Sequence, residues 1–208
     1  MSDASTPSLG PRFTKALGLA YELHAGQTRK GSGVPYFGHL LGVTSIVIET
    51  GSSEDEAIAA LLHDAAEDQG GRETIERIRA EFGDDVAEVV ESCSDSLGDP
   101  KPPWRERKRA YLEHLEEASA SALKVSLADK LHNARTIVVD YRDVGEELWE
   151  RFNADRDQVL AYYRALAATF SRLTPGALAT ELAVTVGELD ALVAAVSPTS
   201  IRPKNQGM

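Results

Sequence analysis

The chain has one cysteine, two methionines and 6% aromatic residues in 208 positions. A lone thiol has no internal partner, so a disulfide framework and a thiolate-rich metal site are both excluded. Cys93 stands beside Val89 and Val90 in a helical stretch, which predicts a reduced, buried thiol and fits the cytoplasm. Basic charge is also in short supply: 22 Lys and Arg against 33 Asp and Glu leave a formal net charge of −11 and a pI near 4.9. That deficit argues against DNA, RNA and anionic membranes as partners, since all need broad basic surfaces, and leaves room only for small anions at a local cluster. No apolar run reaches transmembrane length. The first eleven residues lack the basic-then-apolar order of a secretory signal, so a soluble cytoplasmic protein is expected.

Alternating β-branched residues are missing as well, whereas Ala, Leu, Glu and Arg recur at helical spacing. The chain therefore reads as all-α. One domain is expected over 12–196, between flexible segments at 1–11 and 197–208. Helices are predicted near 13–27, 38–50, 54–68, 72–82, 84–96, 104–117, 120–139, 144–152, 155–173 and 176–195. Pro100, Pro102 and Pro103 mark a surface loop between two helical halves.

Residues 61–69 read Leu-Leu-His-Asp-Ala-Ala-Glu-Asp-Gln. On one continuous helix His63 would lie beside Glu67, and Asp64 beside Glu67 and Asp68. These carboxylates repel one another at a helix end that is already negative, just before Gly70-Gly71, so something cationic must compensate them. The same helix starts normally, with the Ser-x-x-Glu spacing of a capping box at Ser53 to Glu56.

Other groups are candidates to join this cluster. Asp129 interrupts an apolar helix carrying Leu123, Leu127 and Leu131, with Asn133 four residues on, and a carboxylate in that setting needs a partner. The loop from Gln27 to Gly38 combines Arg29 and Lys30 with Gly31, Gly33 and Tyr36, a composition suited to an anion or to a solvated basic turn. His39 opens the next helix among leucines, where a lone histidine ordinarily packs in the core. Together His39, His63, Asp64 and Asp129 make two imidazoles and two carboxylates, a set suited to Mn²⁺, Fe²⁺ or Co²⁺ and open to Zn²⁺. Glu67 or Asp68 would then orient or deprotonate a metal-bound water.

The ordered set H…HD…ED…D resembles the HD phosphohydrolase superfamily, and within it the hydrolase domain of RelA/SpoT enzymes and the small alarmone hydrolases. The resemblance is carried by His24 to Lys30, Gly33 to His39, Ala60 to Asp64 with Glu67-Asp68, and Ala128 to Asn133. It implies a helical bundle of the HD type and Mn²⁺ held by His39, His63, Asp64 and Asp129, with Glu67 and Asp68 as the catalytic pair. It further implies hydrolysis of the 3′-pyrophosphate of guanosine tetra- or pentaphosphate. Arg29, Lys30, Lys130 and Asn133 would bind the nucleotide, and Arg135 and the cluster from Arg105 to Arg109 would add positive field. Ala65, Ala66 and Gln69 depart from the commoner Thr-Val and Thr, and Ser94 from a common Thr, which leaves the ligands intact and bears on pocket shape. An adenine alarmone, the 2′-phosphate of NADPH, or a non-catalytic nucleotide sensor are the competing readings. His24 is expected to anchor the first helix to the substrate loop and His132 to pack or support a ligand, with His114 exposed. Trp104 and Trp149 are expected to pack, as are Tyr162 and Tyr163 unless either ring edges the pocket, and an exposed apolar C-terminal helix would support a homodimer.

Overall fold

The computed structural model describes residues 8–98 and 100–196. Among these, ten α-helices and one 3₁₀ segment account for the regular structure, and a single isolated bridge, Thr28 to Pro35, is the only β pairing. The helices are α1 (Pro11–His24), α2 (Phe37–Glu49), α3 (Glu54–Leu62), α4 (Ala65–Asp68), α5 (Gly71–Phe82), α6 (Asp84–Cys93), α7 (Trp104–His114), α8 (Ala120–Val144), α9 (Arg156–Leu173) and α10 (Ala177–Val196). The first helix starts at Pro11, one residue before the expected domain boundary. Most of the segment expected to be flexible at the N-terminus, and all of 197–208, lie outside the described residues.

Two apolar clusters organise the bundle. The first gathers α1 to α3, α5 and α6, with Leu40, Val47, Ile58, Leu61, Leu62, Ile78 and Val90 among its buried members. The second gathers α7, α9, α10 and the 3₁₀ segment Gly145–Arg151, with Tyr111, Trp149, Leu166, Phe170, Leu182 and Leu189. Helix α8 belongs to both. Its Ala122, Val125 and Ala128 enter the first cluster, and Leu123, Leu127, Leu131, Ile137 and Tyr141 enter the second. The 25 residues of α8 outrun the predicted 120–139, and the segment expected as a helix over 144–152 is 3₁₀, entered through Gly145 at φ 59°.

The predicted helix 54–68 is two elements. Its start is as read: Ser53 Oγ accepts from the Glu56 N–H while the Glu56 side chain accepts from the Ser53 N–H. Helical hydrogen bonding then breaks at His63-Asp64, and four residues of α4 follow. The four polar residues therefore do not share one helical face: His63 turns into the core while Glu67 and Asp68 project from the next turn. Gly70, at φ 124°, ends the excursion and α5 begins. The C-terminal helix is not an exposed apolar element either. Ala179, Leu182, Val186, Leu189 and Val193 bury its apolar side in the second cluster, where α10 packs against α8 and α9, leaving Val184 exposed.

Candidate metal centre and adjoining cavity

His39 comes from the first turn of α2, His63 from the break after α3, and Asp129 from the stretch of α8 that passes between the two clusters. Ligand atoms of these three buried residues lie within 4.8 Å of one another. Asp129 Oδ1 is 3.2 Å from His39 Nε2 and 3.7 Å from His63 Nε2. Asp64 Oδ2 approaches the same nitrogens at 3.4 and 3.0 Å, and it also accepts the hydroxyl proton of Tyr36. Tyr36, from the loop before α2, stacks on His24 and also holds the Asp64 carboxylate.

The donor set fits a divalent metal. Both imidazole Nε2 atoms are buried without a hydrogen-bond partner among the described residues. Each ring is held through its other nitrogen: His63 Nδ1 is 2.8 Å from the Ala60 carbonyl, and His39 Nδ1 is 2.9 Å from His132 Nδ1. With Nδ1 donating, each Nε2 presents a lone pair to the shared centre, the usual tautomer of a metal-bound histidine. Burial pushes His132 down to about 4, with His39 adding to the shift, which keeps it neutral and able to accept. Burial opposes charge at His63, yet Asp64 and Asp129 outweigh it and raise its proton affinity well above the ordinary histidine value. Two carboxylates that favour a proton here also favour a metal cation in its place.

Asp129 is secured at both oxygens. Lys130 Nζ donates to Oδ2 at 2.6 Å and Asn133 Nδ2 to Oδ1 at 2.5 Å, while Arg29 donates to Asn133 Oδ1 at 2.6 Å. Burial would raise the Asp129 carboxyl, but Lys130 and the two imidazoles hold it well below the carboxylate range.

Glu67 and Asp68 follow Asp64 in the single turn of α4. Asp68 accepts from Gln27 Nε2 at 2.7 Å, and Gln27 Oε1 is 2.6 Å from His24 Nδ1, so His24 does tie α1 to the loop. Glu67 accepts from Lys101 Nζ at 3.0 Å and from the Asp95 N–H at 3.2 Å. Burial raises both carboxyls; Asp95 adds to the shift at Glu67 and Asp64 at Asp68, which makes both better bases near neutral pH.

A cavity of about 260 Å³ opens beside Asp129, lined by Arg29, Lys108, Lys130, Asn133, Trp104 and Tyr162 among others. Its size falls just short of the roughly 300 Å³ at which small-molecule sites begin, and its wall mixes cations with aromatic faces. Lys30 is not in this wall: its ammonium reaches Asn153 Oδ1, and it lines a separate recess with Arg151 and Asp140. Trp104 and Tyr162, expected to pack, edge the cavity as well, whereas Trp149 is buried in the second cluster. Of the basic cluster, Lys108 faces the cavity and Arg107 turns to Asp95, while Arg105 and Arg109 line an outer groove between α7 and α9. Arg135 pairs with Glu181 on the surface. His114 is exposed and meets Ser92, and Cys93 is buried with its thiol 3.5 Å from Ser126 Oγ.

A family model described as HD domain matches residues 16–160. The guanosine-3′,5′-bis(diphosphate) 3′-pyrophosphohydrolase MESH1 of Xenopus tropicalis is 42% identical over 126 residues, which is 59% of this chain and 68% of that protein. The bifunctional (p)ppGpp synthase/hydrolase SpoT of Escherichia coli K12 is 34% identical over 132 residues, 61% of this chain and 18% of the larger protein. A solved structure of a metazoan ortholog of SpoT, described as hydrolysing ppGpp and acting in starvation responses, superposes with a TM-score of 0.72 at 27% identity. It covers 89% of this chain and 98% of its own.

Proposed function

Since the chain belongs to the HD-domain family, we propose that it is a metal-dependent phosphohydrolase that removes pyrophosphate from the 3′ position of guanosine tetra- or pentaphosphate. The products are GDP or GTP and pyrophosphate. The observation that carries this reading is the convergence of two partnerless imidazole nitrogens and two carboxylates next to a cavity walled by cations and aromatic rings. The names of the relatives support the same substrate.

In this reading His39, His63, Asp64 and Asp129 hold Mn²⁺, which supplies Lewis acidity and lowers the pKa of a bound water. Glu67 and Asp68 orient the attacking water and accept its proton. The nucleoside occupies the cavity, with Arg29, Lys108 and Lys130 offering charge to phosphate oxygens and Tyr162 a face to the base. Asn133 is already committed to Asp129 and Arg29, so its part is to couple nucleotide contact to the ligand carboxylate. Lys30 reaches the nucleotide only by leaving Asn153. These local cations reconcile a strongly acidic chain with an anionic substrate, because focused charge in a cleft outweighs the net sum.

A panel of guanosine tetraphosphate, its adenine counterpart and NADPH, each with Mn²⁺, tests the reading. Pyrophosphate release from the guanine compound is expected, and Glu67→Ala with Asp68→Ala lowers kcat by about 100-fold or more with metal retained. Turnover confined to another compound would reject the substrate, and full turnover in the double variant would reject the roles.

A further inference from the structure

Asp95 sits in the loop after α6, at a position where nothing in the sequence suggests a task. Its side chain is 4% exposed, next to a surface loop. A carboxylate so buried requires charge and hydrogen bonds around it. It has both: Arg107 Nη1 reaches its two oxygens at 2.5 and 2.7 Å, and Lys108 Nζ reaches Oδ2 at 2.6 Å. Burial opposes ionisation of Asp95, yet Lys108, a side-chain contact with Glu67, and Arg107 hold it down to about 2.

The same residue touches Glu67 through its backbone. Its N–H donates to Glu67 Oε2, while Lys101 holds Oε1. Arg107 lies 3.9 Å from Glu67 Oε1, close enough to matter electrostatically but bonded to Asp95 instead. Lys108 on its other side faces the cavity and covers the Tyr162 ring. Asp95 therefore stands between the cationic face of α7 and the carboxylate assigned to water. An ion pair that merely fastened α7 to the loop would not require the same residue's N–H on Glu67.

We propose that Asp95 is a positioning residue for hydrolysis: its N–H fixes Glu67 Oε2, and its carboxylate keeps Arg107 from pairing with Glu67. The inference rests on the assignment of Glu67 to water activation. Without the Asp95 charge, Arg107 swings onto Glu67, and a carboxylate gripped by both Lys101 and Arg107 is a weaker base with its lone pairs engaged.

Asp95→Asn keeps the N–H and the size and removes the charge. With guanosine tetraphosphate and Mn²⁺, kcat is expected to fall roughly tenfold, with KM changed less than about threefold and metal content unchanged. Two further readouts separate positioning from mere fastening. In a Glu67→Gln background, followed by single turnover, Asp95→Asn is expected to cost little more, because both changes act through one group. Adding Arg107→Met to Asp95→Asn is expected to restore kcat to within about threefold of wild type, because the stray cation is gone. Wild-type kcat in Asp95→Asn, an equal penalty in both Glu67 backgrounds, or no recovery in the Arg107 double variant each overturns the proposal. If Asp95→Asn does not fold, Asp95→Asn/Arg107→Met, which removes the Asp95 charge together with that of one of its two cationic partners, decides alone by the same threefold criterion. A Glu67→Gln enzyme at full speed would defeat the assignment of Glu67 and this inference with it. Failure of the Asp95 predictions, with Glu67 dependence intact, would defeat only this inference.

Discussion

At His132 the ring has almost no freedom, and the reason is Gly42. A Cβ on Gly42 would stand 2.2 Å from His132 Nε2 and 2.4 Å from its Cδ2, so only glycine leaves space for the imidazole that holds His39 Nδ1. Gly42→Ala thus sets two effects in opposition. Within a helix alanine is favoured over glycine by about 1 kcal/mol, while displacement of His132 frees the His39 ring. Metal affinity is expected to fall roughly 10–100-fold with helical content preserved, as for other groups that orient a metal-bound histidine. Calorimetric titration with Mn²⁺ checks this, and unchanged affinity would remove His132 from its supporting role. Asp129 was legible in the sequence because a carboxylate among leucines breaks the apolar pattern. Asp95 was not, since its partners Arg107 and Lys108 are brought to it only by the path of the loop, and its contact with Glu67 is made by backbone. The bond from Tyr36 to Asp64 was hidden for a similar reason: the hydroxyl finds its carboxylate only through tertiary placement.

Helix α3 shows what sequence pattern conveys about an element and where it stops. Its start is written in Ser53 and Glu56, and its buried residues Ala57 to Leu62 follow the apolar run. Its end is not, because residues 65–68 remain good helix formers and only the demands on His63 and Asp64 explain a break before them. Glu56 does more than cap. Its carboxylate also receives Lys124 at 2.8 Å and Ser121 at 3.0 Å, tying the start of α3 to α8. Burial raises its carboxyl, but Lys124, Ser53 and Ser121 outweigh that and hold it below the ordinary 4.5. A depressed folded-state value means stability present above the unfolded pKa and lost as pH falls through the folded one. Glu56→Gln is therefore expected to cost about 1–2 kcal/mol at pH 7, by urea unfolding, with the difference shrinking steadily below pH 4.5. A penalty independent of pH would assign the effect to packing.

For the molecule as a whole, the helical class was plain from composition and period, but the division of the bundle into two apolar clusters was not. The proline-bearing loop separates α6 from α7 in sequence, yet the first helix after it to bury apolar side chains in the early half is α8, whose small residues Ala122, Val125 and Ala128 fit against it. The proposed metal ligands come from α2, the α3–α4 break and α8, so a bound ion ties the early helices to the helix shared with the late ones. Ligand binding to the folded state alone adds about 3 kcal/mol at a hundredfold excess over Kd, which for a chain of this size is roughly 5–10 °C in Tm. Chelation is expected to lower Tm by that amount and Mn²⁺ to restore it, as read by scanning calorimetry. An unchanged Tm would mean that the charge at His63, Asp64 and Asp129 is already balanced without an ion.

Helix α8 also acts as a beam with its ends clamped in different masses. Asp129 rides on this beam between the clamps, so a tilt of one half of the bundle against the other becomes a displacement of one proposed ligand oxygen relative to two imidazoles seated in the first half. The bending stiffness of a single helix thereby sets how constant the coordination distance can be, and substitutions as remote as Leu182 or Phe170 reach the centre by changing how firmly one clamp grips.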